Sequence, residues 1–153
     1  MKVCDYFSHL NAKDIISEKN LFDEINNCLT INDLLFTRGN PARIKKEVGN
    51  KFNEQGWADR ISLKDTNISI NFLKCRVGVC FQIGNVARMY ADILKLFYLY
   101  NEGIVDVAVI CVPHQLESAK LGANYARYDR LKKELRLFEK IVKVPILVIC
   151  LSN

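Results

Sequence analysis

The chain has no hydrophobic run long enough to cross a bilayer. Its longest largely apolar stretches, Ile104 to Val112 and Val144 to Leu151, reach about half of the roughly 20 residues that a spanning helix requires. Met1 to Leu10 lacks the unbroken apolar centre of a secretory signal, because Asp5, Ser8 and His9 interrupt it. There is no C-x-x-C pair and no Cys/His cluster at zinc spacing; the six cysteines are scattered at positions 4, 28, 75, 80, 111 and 150. G-x-G-x-x-G, G-x-x-x-x-G-K-[ST] and G-x-S-x-G are all missing, which removes the sequence signatures of dinucleotide, P-loop and nucleophile-elbow chemistry. His9 and His114 lie far apart, so spacing gives no support to Cys/His nucleophilic catalysis, and each reads as a structural or surface histidine. Repeats, linkers and low-complexity segments are absent as well. The expectation is a soluble cytoplasmic protein without membrane contact, whose cysteines are mostly reduced, small, buried hydrophobes.

What is present fits a packed core. The 153 residues include 22 Lys plus Arg and 17 Asp plus Glu, for a net charge of +5, with half of all residues hydrophobic and a quarter charged. Such a composition predicts one compact domain over 1–153. A chain of this size buries roughly 68–70% of its unfolded surface and needs neither disulfides nor a structural metal to fold. The positive balance favours nonspecific attraction to nucleic acid that fades with salt.

The first sixty residues read as helical. Leu21, Ile25, Cys28 and Leu29 share one helix face, and Pro41 suits the first turn of a second helix striped by Ile44, Val48 and Phe52. From Ile61 the period becomes strand-like. Ile68, Ile70 and Phe72, then Val77, Val79 and Phe81, predict a two-stranded antiparallel hairpin turning near Lys74 and Cys75. Alternation sends Val77, Val79 and Phe81 to one side of the sheet and Cys80 and Gln82 to the other. Asn85 suits the N-cap of an amphipathic helix running to Tyr100. A buried strand from Ile104 to Val112 follows, then a loop, a basic helix from about Asn124 to Ile141, and an apolar strand from Ile146 to Leu151. The expected order from Ile61 is β-β-α-β-α-β in a mixed-sheet α/β domain.

The informative stretch is Ile70 to Asn85, I-N-F-L-K-C-R-V-G-V-C-F-Q-I-G-N. It resembles the active-site hairpin of the BglII-type restriction endonucleases, a branch of the PD-(D/E)XK nuclease superfamily. There an Asp on the first strand is followed nine residues later by Glu, then by one spacer and Gln. Asn71 falls on the Asp position, Cys80 on the Glu position and Gln82 on the Gln. Similar segments extend the likeness: Tyr6 to Leu29, Ile44 to Val48, Val107 to Pro113 and Val144 to Ile149. The resemblance implies a restriction-endonuclease-like core with a mixed central sheet flanked by helices. It also implies a type II enzyme of restriction-modification that binds double-stranded DNA as a homodimer, favours palindromes with a GATC centre and cuts with Mg²⁺. Enzymes of the family commonly carry further residues after the last strand that help hold DNA, whereas the sequence here stops at Asn153, so the resemblance does not by itself imply sequence-specific recognition.

The resemblance assigns the catalytic positions to Asn71, Cys80 and Gln82. Metal-assisted phosphodiester hydrolysis activates water and neutralises charge on the phosphate, and hard Mg²⁺ wants carboxylate oxygens. Asn71 keeps one neutral oxygen, and Cys80 substitutes a soft sulfur. Both anionic ligands are replaced together, so the metal site is expected to be weakened and cleavage impaired. Cys80 reads as a buried thiol in a metal pocket, as a ligand for a softer metal, or as a replacement that silences the enzyme. Glu54 could add a carboxylate to the metal set of Asn71 and Cys80, or simply be a solvated helix-end Glu. Asp65 would share a strand face with Asn71 but about 20 Å away at ~3.3 Å per residue. Gln82 has an alternative as a polar residue on an edge strand. For phosphate contacts the candidates are Lys45, Lys46, Lys51, Lys74, Arg76 and Arg88, whereas the cations of the last helix can pair with Asp129, Glu134 and Glu139 on a wet face. The competing function is a catalytically inactive relative that binds DNA or a protein partner.

Overall fold

The computed structural model describes residues 1–153. Strand β1 (Lys2–His9) leads into helices α1 (Ala12–Glu18), α2 (Phe22–Leu29) and α3 (Pro41–Glu54). Strands β2 (Ala58–Ser62), β3 (Ser69–Lys74) and β4 (Val77–Phe81) follow, then helix α4 (Val86–Asn101) and strand β5 (Val107–Pro113). Helices α5 (Gln115–Leu121) and α6 (Tyr128–Leu137) precede the last strand, β6 (Ile146–Ser152). All six strands form one mixed sheet in the order β1-β6-β5-β4-β3-β2. The centre is parallel, β4 to β5 to β6, and antiparallel strands complete both sides.

The apolar runs explain that centre. Every residue of β4 and β5 is buried, and so are Ile146 to Leu151 of β6, as parallel strands covered on both faces require. One face, with Val77, Val79 and Phe81, packs on α1 to α3; the ring of Phe52 from α3 stacks on Phe72 of β3 at 4.3 Å. The other face, with Cys80, Ile110 and Val148, packs on α4 and α6. Pro41 opens α3 as expected, and the Asn85 side chain accepts a bond from Ala87 N–H at 2.8 Å to start α4. The buried stripe of α4 runs through Met89, Ile93, Leu96 and Leu99, leaving Leu94 68% exposed.

Several expectations are corrected. The helical beginning contains a strand: β1 alternates irregularly between exposed and half-buried, and its extended state comes from antiparallel pairing with β6. The hairpin has a third strand, since Ala58 to Ser62 pairs with Ser69 to Leu73. The stretch after Pro113 holds helix α5, capped by the His114 ring nitrogen accepting from Leu116 N–H. Helix α6 is shorter than expected because the residues before it are stitched elsewhere: Val86 N–H donates to Asn124 O at 3.0 Å and Ala126 N–H to Gly84 O at 2.8 Å. The order from Ala58 is therefore β-β-β-α-β-α-α-β. Of the cysteines, 28, 80, 111 and 150 are buried, and 4 and 75 are exposed. Buried His9 hydrogen-bonds Val142 O at 2.8 Å. No helix is long and apolar enough to cross a membrane.

Asp106 ties three segments together at the start of β5. Arg76, from the β3–β4 turn, donates to its Oδ1 through Nε and Nη2 at 2.8 and 2.7 Å, and Lys19, just past α1, reaches Oδ2 at 2.9 Å. Hydrogen bonds from Arg76 and then Lys19 lower the Asp106 carboxyl from an ordinary 3.8 to about 2. A depressed carboxylate stabilises the fold above its unfolded value and loses that contribution as pH falls through the folded one. The pair is partly solvated, so the effect is modest. Thermal unfolding followed between about pH 4 and pH 2 is expected to show a shallower decline for Asp106→Asn than for the unaltered chain.

Candidate functional site

The β3–β4 turn places non-glycine residues in the left-handed region at both central positions, Cys75 at φ 46° and Arg76 at φ 64°. Such a pair of dihedrals suits the tight hairpin, whose twist it matches, but is uncommon for side chains with a Cβ. Ion pairs hold it. Arg76 is bound to Asp106, and Lys74 Nζ donates to both Glu24 oxygens at 2.7 and 2.9 Å and to Gln55 O at 2.7 Å. These two cations, read from sequence as phosphate contacts, both sit in ion pairs that fasten the hairpin.

Pairing in the hairpin ends at Phe72↔Val79. Beyond it Asn71 replaces the ladder with its side chain, whose Oδ1 accepts from Phe81 N–H at 2.8 Å. The strands part there, and β4 continues against β5 through Gln82 N–H to Cys111 O at 2.8 Å. A cleft of about 290 Å³ lies at this divergence. Asn71 and Gln82 line it together with Lys45 of α3, Ser69 of β3, and Arg88, Asp92 and Lys95 of α4.

Gln82 is buried, and both ends of its amide are hydrogen-bonded. Its Oε1 accepts from Gly84 N–H at 2.9 Å, and its Nε2 donates to Asp92 Oδ2. Gly84 permits this fold-back because a Cβ there would meet Gln82 Oε1 at 2.8 Å. Asp92, itself only 4% exposed, also accepts from Lys95 Nζ at 2.8 Å through Oδ1. A buried carboxylate needs such partners. Three cations, Lys45, Arg88 and Lys95, thus face a cleft whose single carboxylate is already neutralised.

Cys80 points to the same side of the sheet as Gln82 but lies beneath the cleft rather than in its lining. It is completely buried in the cluster with Met89, Ile93 and Leu96. Burial, and next the Asp92 carboxylate, push its thiol well above its ordinary pKa, against smaller opposing effects of Lys95 and the Asn71 backbone amide. At neutral pH it is a thiol. Glu54 does not line the cleft; it is exposed and pairs with Lys51 at 3.5 Å. Lys46 is exposed on α3 outside the cleft, and Asp65 sits in the β2–β3 turn at φ 53°. No three His, Cys, Asp or Glu side chains come close enough together to hold a metal ion.

Asp92 and Lys95 were not among the residues singled out from sequence. The available signal was an acid at the spacing of Met89, Ile93 and Leu96, on the inward stripe of α4. Acids are almost never fully buried unless paired, so a carboxylate on an apolar stripe marks a built polar site.

Comparison with known proteins bears on the fold and the family. In the solved structure of BglII complexed with a DNA 16-mer, the fold matches with a TM-score of 0.88 at 16% identity, covering 100% of this chain and 77% of that one. Free BglII matches with a TM-score of 0.78 at 18% identity, covering 100% and 80%. No curated protein matches in sequence. At these identities the likeness concerns the fold, which is the restriction-endonuclease fold. The family model described as restriction endonuclease BglII/BglIII matches residues 4–151, nearly the whole chain, and the protein belongs to that family.

Proposed function

We propose that the chain binds duplex DNA along the hairpin-side cleft and cleaves it poorly or not at all in Mg²⁺. The observation that carries this reading is the cleft itself, in which Lys45, Arg88 and Lys95 surround a carboxylate already held by Lys95 and Gln82. Membership in a restriction endonuclease family and a fold shared with a DNA-bound BglII support DNA as the ligand. Lys45 and Arg88 make no ion pair within the protein, so both are available to phosphate oxygens. Neutralising phosphates releases condensed counterions, with a slope of about −0.9 per phosphate in a plot of log affinity against log salt. Lys45→Ala and Arg88→Ala are each expected to make that slope about 1 less steep and to weaken binding of all duplex sequences alike. Fluorescence anisotropy across a salt series measures both.

The family implies Mg²⁺, and the residues at the cleft do not suit it. Mg²⁺ binds through carboxylates with strict octahedral geometry. Here Asn71 Oδ1 is occupied by Phe81 N–H, Cys80 is a sealed thiol, and both oxygens of Asp92 have partners. The nuclease framework has kept its shape while losing the anions that the chemistry needs. Plasmid incubated with Mg²⁺ and the unaltered protein is expected to stay supercoiled. The double variant Asn71→Asp, Cys80→Glu should yield nicked or linear DNA where neither single variant does, Lys95 supplying the new Glu with a counter-charge; circular dichroism checks that it folds. Cleavage by the unaltered chain would defeat this reading.

A two-fold dimer completes the proposal, because symmetric duplex sites call for symmetric binders. An apolar patch of Leu63, Ile68, Leu94 and Tyr98 adjoins the cleft through Ala91 and Lys95. Ile68 and Leu94 are 49% and 68% exposed, and they supply the apolar contact across which a second copy would pack. Sedimentation is expected to give a dimer for the unaltered chain and a monomer for Leu94→Arg.

A further inference from the structure

We infer that Cys4 and Cys150 form a reversible disulfide that ties the edge strand β1 to β6. The register of the two strands passes from Val3↔Leu151 to Asp5↔Cys150, so a bulge at Cys4 sets two residues of β1 opposite Cys150. A bulge redirects a side chain that regular pairing would turn elsewhere. Here it brings Cys4 Sγ to 3.0 Å from Cys150 Sγ, although the residues are 146 positions apart. A bond of about 2.05 Å needs the sulfurs to close by only roughly 1 Å.

The two thiols differ in access, and that difference orders the chemistry. Cys4 is exposed, whereas Cys150 is fully buried. Cys4 also lies at a second cleft, of about 630 Å³, across the sheet from the hairpin, lined by Lys132, Lys133 and Arg136 against Asp5 and Asp129. Its cationic majority suits an anionic low-molecular-weight disulfide such as oxidised glutathione. The Cys4 sulfur attacks one sulfur of that disulfide; a mixed disulfide forms at Cys4, and the first thiolate leaves and takes up the Cys4 proton. Cys150 then gives up its proton and attacks Cys4 Sγ. The protein disulfide forms, and the second small thiol departs with that proton. Two protein thiols are oxidised by two electrons in all, and the small disulfide is reduced to two thiols. Burial and the neighbouring Cys4 raise the Cys150 thiol, which leaves Cys4 as the first nucleophile.

The other cysteines serve as internal controls. Cys28, Cys80 and Cys111 are buried and Cys75 is exposed, and none of them is in hydrogen-bonding contact with another sulfur. The staple would close a loop of nearly the whole chain, the case in which constraint of the unfolded state is largest.

The test uses the full chain carrying Cys75→Ser, which removes the other exposed thiol. Treatment with oxidised glutathione is expected to consume two alkylatable thiols and lower the mass by two hydrogens. A non-reducing peptide map should join the Cys4 and Cys150 peptides, and Tm should rise by roughly 5–15 °C and fall back with dithiothreitol. Adding Cys4→Ser abolishes every one of these changes. A lasting glutathione adduct on Cys4, a disulfide-linked dimer, or no change in thiol count would overturn the inference.

Discussion

The parallel ribbon of β4, β5 and β6, buried on both faces, is the constraint from which the remaining arrangement follows. A strand covered on both sides cannot slip by one residue without turning its whole side-chain set over. The register of Cys80 opposite Ile110 and Phe81 opposite Cys111 is therefore held by packing above and below. That register decides where β4 ends and where β3 can leave it. Asn71 sits at the parting, Gln82 one step past the end of the strand, and α4 starts immediately afterwards with Arg88, Asp92 and Lys95 turned toward the same opening. The cleft is a by-product of sheet geometry, and the helices lend it charge.

Within the cleft, the electrostatics run opposite to those of a Mg²⁺ centre. A hard divalent cation needs an excess of anionic oxygen, whereas this opening carries an excess of cations and a single carboxylate. The Gln82–Asp92–Lys95 chain satisfies every buried polar atom among its members. Such a network rigidifies its surroundings, and each oxygen of Asp92 already accepts a hydrogen bond within it. The opening is a cationic one, held on the fold of a restriction endonuclease family.

Much of this was legible in the sequence, and the parts that were not share a cause. The hairpin could be read because its alternation and its turn are local, as are the Pro41 start of α3 and the Asn85 cap of α4. Strand β1 could not, because its side chains alternate poorly and its extended state is imposed by β6 from the far end of the chain. Helix α5 is short and capped by His114, which lies outside the usual capping residues. The ion pairs of Lys74 and Arg76 could not be read, because Glu24 and Asp106, which bind them, are distant in sequence. The alternation placed Cys80 and Gln82 on one side correctly, but it carried no information on depth, and depth separates a cleft residue from one sealed under it.

The stitch between the stretch before α6 and the beginning of α4 has a wider bearing. Asn124 and Ala126 are hydrogen-bonded to Val86 and Gly84, and Asn85 and Tyr125 form a bridge between them. The helix that presents Arg88, Asp92 and Lys95 is thereby moored at its root by residues far downstream that form no ion pair or side-chain hydrogen bond with any of the three. Shortening or loosening that downstream stretch would slacken the cationic rim from behind, altering how rigidly its charges are held without removing a single one.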